Sequence, residues 1–259
     1  MLSSPSTNFI NRLRSDDQAA WFELWETFGP VLRAQLSKWG RGRIGHETVR
    51  DLSQETLAAL STSIDRYDPA KGARFSTWLL AIAKHTLGDE LDRRGALKRG
   101  GGKANALLDE AWMGSAPGAS VDEAYEAAVF RAKVERAIRQ VEGEADFTDF
   151  EIYRMRVFEG QSGKEVADAI GTSEPTVSRK LTKIRVMLRA SIGEVVSTYS
   201  FTPEELAEVE RNGLSQKSSG DNPKTDSGKA LDQLFDEALA EIYHRQQELR
   251  REDEAGLTD

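Results

Sequence analysis

An all-α fold is predicted: two helical domains joined by a flexible linker and followed by an acidic, partly disordered tail. Three observations predict it. Apolar residues recur at three- and four-residue spacing through several long segments, which is the period of a helix with one buried face. Clusters of Gly, Pro, Ser and Asn interrupt those segments at two places, near 95–120 and 212–228. The charge is also unevenly placed. Residues 1–196 hold 28 Lys+Arg and 28 Asp+Glu, while 197–259 hold 7 and 15, so the whole net charge of −8 lies in the last quarter.

The first domain is expected over 9–95. Trp21, Leu24, Trp25, Phe28, Val31, Leu32, Leu36 and Trp39 form one apolar stripe, and the Gly40–Gly45 interruption ends that helix. A second helix over about 47–63 carries Val49, Leu52, Leu57 and Leu60. The turn-rich stretch DRYDPAKGAR, residues 65–74, follows, with Pro69 and Gly72 as breakers. A third helix over about 76–94 presents Trp78, Leu79, Ile82, Ala83 and Leu91, with Ser76 as its N-cap. Residues 96–120 read as the flexible linker, with a short helical segment near 106–112.

The second domain is expected over 121–196. Phe130, Val134, Ala137, Ile138 and Val141 make one helical face, and Phe150, Tyr153, Met155, Val157 and Phe158 a second. Ser162 and Glu165 form a capping box at the start of a short helix ending at Ile170, and Gly171 supplies a left-handed cap. Ser173 caps the next helix, with Pro175 tolerated in its first turn. A short helix, a tight turn and a longer basic helix in this order read as a helix-turn-helix. In the extension, 197–259, Thr202 and Glu205 form another capping box. Residues 212–228 have almost no apolar content and are expected to be disordered, and a terminal helix over 229–252 carries Leu231, Leu234, Phe235, Ala238, Leu239, Ile242 and Leu249 on one stripe.

Composition removes several function classes. The chain has no cysteine, which excludes disulfides, thiolate zinc sites, iron–sulfur clusters and a cysteine nucleophile. Its histidines, His46, His85 and His244, lie too far apart for metal-ligand spacing, and no cofactor is expected. No run approaches the roughly 18 apolar residues of a membrane helix, and no secretion signal is read at the start, so a cytoplasmic location without membrane insertion is expected.

Three segments can carry function. The helix-turn-helix places Ser173, Glu174, Thr176, Val177 and Lys180 where base edges are read, and Arg179, Lys183 and Arg185 where phosphates are met. Five basic residues and no acid lie between Arg179 and Arg189, which favours DNA over a plain solvated helical hairpin. In DLSQET, Asp51 and Glu55 share a helix face with Gln54 beside them. Two such carboxylates could bind a metal, but no third acid at useful spacing and no neighbouring histidine completes a site, and between a solvated polar face and a docking patch for a basic partner composition does not choose. Between Ile64 and Arg94, Tyr67, Phe75 and Trp78 lie among Arg66, Lys71, Arg74 and Lys84. Rings interleaved with cations suit single-stranded nucleic acid, whereas register with Ile82 and Leu91 favours a core role for Trp78.

The residues from DLSQET through RYDPAKGARFSTWLLAIA to DELDRRG resemble region 2 of bacterial sigma factors of the extracytoplasmic-function type. Residues 147–190 resemble region 4. The resemblance implies a subunit of the transcription machinery and not an enzyme. Its partners would be core RNA polymerase and promoter DNA, with room for an anti-sigma factor. It implies that Asp51, Gln54 and Glu55 face core polymerase. Ser63, Arg66, Tyr67, Asp68, Lys71, Arg74 and Phe75 would then read the −10 element as unpaired strand, with Lys84, His85 and Arg93 towards the DNA backbone. Ser173, Glu174, Thr176, Val177, Arg179, Lys180, Lys183 and Arg185 would read the −35 element as duplex. Gly163 and Pro175 depart from the family pattern, and the acidic extension has no counterpart in its minimal form and is expected to modulate activity.

Overall fold

The computed structural model describes residues 7–98, 123–214 and 226–256, and every described element is helical. Two compact units divide it. Among the described residues, the first comprises 7–98, 123–132 and 200–203, and the second 133–199, 204–214 and 226–256. No helix among the described residues is long and apolar enough to cross a membrane.

The first unit opens with α1 (Asn8–Arg14), a short helix that the periodicity does not separate from the next one. It buries Phe9, Ile10 and Leu13. The chain turns through Asp16, whose φ of 56° is left-handed, and Asp17 then caps α2 (Gln18–Gly40) by accepting from the amides of Ala19 and Ala20. Arg12 locks this corner. Its guanidinium donates to Asp17 at 2.7 Å and to Glu23 at 2.9 and 3.1 Å, which holds the Asp17 carboxyl below its ordinary range. Pro30 lies inside α2 without ending it. Proline removes one ladder bond and disfavours helical geometry in the residue before it. That residue is Gly29, and a Cβ there would come within 2.9 Å of the Trp25 ring. Phe28, Val31 and Leu32, all buried, hold the helix on course.

α3 (His46–Ser63) and α4 (Phe75–Lys98) complete a bundle with α2. Leu32, Leu36, Val49, Leu52, Ala83 and Leu87 interlock at its centre, flanked by Trp39, Ile44 and Leu91. Ser76 is not the cap of α4: the helix starts one residue earlier, and Ser76 is buried in its first turn. α4 also runs through residues 96–98, the start of the expected linker. The rest of that linker from 99 on, including the helical segment expected near 106–112, lies outside the described residues.

The second unit contains most of α5 (Glu123–Glu144), whose residues 123–132 belong to the first. α6 (Phe147–Tyr153) is capped by Asp146. The single helix expected through Phe158 is instead interrupted. Arg154–Phe158 form a π-turn, closed by the Glu159 amide donating to the Arg154 carbonyl at 3.0 Å. One extra residue in that turn aims Phe158 at Tyr153, edge-on with centroids 5.5 Å apart. Met155 and Val157 stay only half-buried.

α7 (Gly163–Ile170) starts with the expected capping box: Ser162 Oγ accepts from the Glu165 amide, and Glu165 accepts from the Ser162 amide at 2.7 Å. Gly171 has a φ of 74°, the left-handed conformation that ends the helix. α8 (Glu174–Thr198) follows. Ser173 takes the cap position without a side-chain bond to an amide, and its hydroxyl meets that of Thr176 at 3.0 Å. Val166 and Ala167 of α7 and Val177, Leu181, Ile184 and Leu188 of α8 are buried, so the two helices share one apolar seam.

Two short helices, α9 (Pro203–Leu206) and α10 (Glu208–Arg211), come next. Glu205 is buried opposite Lys133, with Nζ and carboxylate 3.4 Å apart. The expected disorder over 212–228 does not begin at 212: Gly213 makes a left-handed turn and Leu214 is fully buried. Residues 226–228 already belong to α11 (Asp226–Gly256), and 215–225 lie outside the described residues. The buried stripe of α11 is narrower than expected. Phe235, Leu239 and Ile242 are buried, whereas Leu231 and Leu234 are 45% and 56% exposed. The side chain of Leu249 lies outside the described residues.

Candidate nucleic-acid interface

The buried side of α3 is Leu52, Thr56, Leu60 and Ser63. That packing turns Asp51, Gln54 and Glu55 outward together, and all three are exposed. Among the described residues none of the three has an ion-pair partner. The result is an acidic strip on a helix whose back is fixed by the bundle.

Beyond α3 the chain makes two tight turns before α4. Arg14 donates to the Tyr67 carbonyl at 2.5 Å, the Tyr67 hydroxyl donates to the Ala73 carbonyl at 2.9 Å, and Asp68 accepts from the Ala70 amide at 3.0 Å. Gly72, with a φ of 76°, closes the second turn. The loop is therefore shaped by its own bonds. Arg66, Asp68 and Lys71 are exposed on it, Lys84 is exposed on α4, and His85 is half-buried with Nδ1 3.1 Å from Asp89. Arg93 lies at 2.7 Å from Glu90.

Three expected strand contacts on this loop need correction. Ser63 is buried, and its hydroxyl donates to the Ala59 carbonyl at 2.7 Å. Tyr67 and Phe75 are 3% and 0% exposed. Their rings pack edge-on at 5.3 Å, Tyr67 stacks on Trp78 at 5.1 Å, and Phe201 sets its edge against both. Aromatic pairs at such distances add about 0.5–1.5 kcal/mol each beyond the area they bury. In this arrangement the rings are core, as the register of Trp78 suggests, and no ring face is open to a base.

Arg74 is also engaged. Its Nη1 donates to Glu126 at 3.0 Å, and the same carboxylate accepts from Ser76 at 2.8 Å and Thr77 at 3.1 Å.

On α8, Ser173, Glu174 and Arg179 are exposed, while Thr176 and Lys180 are half-buried. Val177 is 2% exposed and packs into the seam with α7, so it does not reach a base edge. The basic cluster that looks uncompensated along the chain is compensated in space. Lys180 and Lys183 lie 2.5 and 2.7 Å from the buried carboxylate of Asp149. Burial alone would push that carboxyl up, but the two lysine hydrogen bonds and charges outweigh it and hold it below the ordinary range. Arg185 donates to Asp236 at 2.6 and 3.0 Å and lies 3.6 Å from Asp232. Arg189 donates to Asp232 at 2.9 Å and stacks over Phe235 at 4.3 Å. Arg185 is therefore a tertiary contact here, whereas Arg179 is exposed and, among the described residues, bonds within its own helix to Pro175 and Thr176.

Asp149, Asp232, Asp236, Glu126 and Phe201 carry no local sequence signal for these roles. The four acids lie 31 to 52 residues from the cations they pair with, Phe201 lies further still from the rings it covers, and only the fold brings them there.

Residues 18–96 match the family model Sigma-70 region 2. The match covers α2, α3, the double turn and nearly all of α4, so the acidic strip and the loop lie on one module that is similar to that family. No curated protein matches the chain.

Proposed function

We propose that this chain, which carries a sigma-70 region 2, is a sigma factor of the extracytoplasmic-function type that binds core RNA polymerase and selects promoters. The observation that carries the reading is the region 2 match over a module whose acidic strip is exposed and, among the described residues, has no ion-pair partner. Asp51, Gln54 and Glu55 dock on a basic surface of core polymerase. Arg66, Asp68, Lys71, Arg74 and Lys84 meet the unpaired −10 strand.

The helix-turn-helix is the −35 reader in this proposal. Support comes from its bonded architecture: the capping box, the left-handed Gly171 and the shared seam fix α8 with Ser173, Glu174, Thr176 and Arg179 at its free end. In such motifs the first residues of the second helix reach base edges in the major groove. The amides of its first turn also favour a phosphate. The chain breaks no covalent bond; opening the duplex is driven by binding the displaced strand.

The test is run-off transcription with purified core polymerase on a genomic promoter library, with and without the protein. New start sites that depend on the protein are expected. Identical starts at identical frequency would overturn the proposal. Stoichiometric capture of core polymerase separates it from a stand-alone DNA-binding regulator, which need not bind core at all.

A further inference from the structure

Glu126 is 6% exposed, yet it is not buried among cations alone. Its two oxygens collect Arg74 Nη1 at 3.0 Å, Ser76 Oγ at 2.8 Å to each oxygen, and Thr77 Oγ1 at 3.1 Å. One guanidinium and two hydroxyls from four consecutive positions thus converge on a single negative charge. These are donor types that hold phosphate oxygens along a nucleic-acid backbone.

The neighbouring aromatic cluster has a related feature. Phe201 covers Tyr67 and Phe75, and the indole N–H of Trp78, which stacks on Tyr67, is buried without an acceptor. Leaving a buried donor unmet is unfavourable. The cluster therefore carries a polar group that its present packing does not satisfy, and a nucleobase has the acceptors to satisfy it.

We infer that Arg74, Ser76 and Thr77 form a binding site for a backbone phosphate of unpaired DNA, and that Glu126 occupies this site in the free chain. The inference rests on the strand-reading role given to the loop under the proposed function. Carboxylate and phosphodiester each bring one negative charge, so the exchange leaves the charge of the site unchanged. Strand affinity is then reduced by the fraction of molecules in which Glu126 is seated.

The experiment is fluorescence anisotropy of a labelled single-stranded oligonucleotide with the full chain at low ionic strength, without polymerase. Glu126→Ala is expected to tighten binding about tenfold or more, and Glu126→Gln, which keeps an acceptor but loses the charge, by less. Adding Arg74→Ala to Glu126→Ala is expected to remove the gain and to lower the salt slope by about 0.7, one phosphate contact on a single strand. Circular dichroism establishes that each variant folds; if Glu126→Ala does not, Glu126→Gln decides. No tightening with the folded variants, or a gain that survives Arg74→Ala, would overturn the site. Capture of core polymerase is measured in parallel. Normal capture without a DNA gain rejects this site and leaves the sigma reading intact, whereas a DNA gain without capture supports the site and rejects that reading.

Discussion

Asp149 shows how one side chain can set the character of a whole basic helix. It is fully buried, and its partners Lys180 and Lys183 are 39% and 55% exposed. Because the lysines keep much of their water, the loss on Asp149→Asn is expected to be about 1 kcal/mol and not the full cost of breaking a buried pair. The folded-state pKa of Asp149 is depressed. Its contribution is therefore present above the unfolded value of about 3.9 and is lost as pH falls through the lower folded value. Thermal melts should show a steeper acid loss for the wild type below about pH 4 than for Asp149→Asn. Lys180 and Lys183 were readable as a basic cluster from the sequence. Their shared counter-charge was not, because it lies on α6 and is brought there by tertiary packing.

At the level of elements, α3 and α11 make opposite uses of acidic residues. On α3 the carboxylates face outward from a bundle that does not need them. Asp51→Lys with Glu55→Lys should leave the unfolding free energy within about 0.5 kcal/mol of wild type, while core polymerase binding is lost in pull-down. Retained binding would reject the docking role. On α11 Asp232 and Asp236 face inward. Asp232→Ala with Asp236→Ala leaves Arg185, 16% exposed, without a partner and should cost about 3–5 kcal/mol in urea unfolding. Adding Arg185→Met should recover part of that loss, since the stranded charge goes with it. α3 was legible because its pattern is local: acids four apart, apolar residues between. The capping box, Gly171 and the α7–α8 order were legible for the same reason. The π-turn was not, because its pitch is chosen by where Phe158 can pack. Nor was the rotation of α11, which is decided by its ion pairs as well as by its apolar stripe, so that Leu231 and Leu234 end up in solvent.

For the whole molecule, the neutral balance of residues 1–196 and the in-place pairing of Lys180, Lys183, Arg185, Arg189 and Arg74 point the same way. Few cations are left to release counterions from DNA, and the isolated chain should bind promoter duplex weakly and with a shallow salt dependence. Gel-shift titration at physiological salt should show no nanomolar complex until core polymerase is added; such a complex without core would contradict the scheme. The all-helical fold was visible in the sequence because it follows from periodicity and breakers. The state of the candidate interface was not. Tyr67, Phe75 and Arg74 read as contacts for a strand, and each is already bonded within the chain.

The five residues Arg154–Phe158 hold one member more than an α-helical turn accommodates. Each residue of a regular helix advances the chain by about 100°. Cutting out a single residue there would restore uniform pitch and swing Phe158 a quarter-turn off the Tyr243 ring it now lies flat against at 4.1 Å. The indentation on the helix is thus a fitting for the terminal segment, and a deletion too small to shorten any helix noticeably would be enough to unseat it.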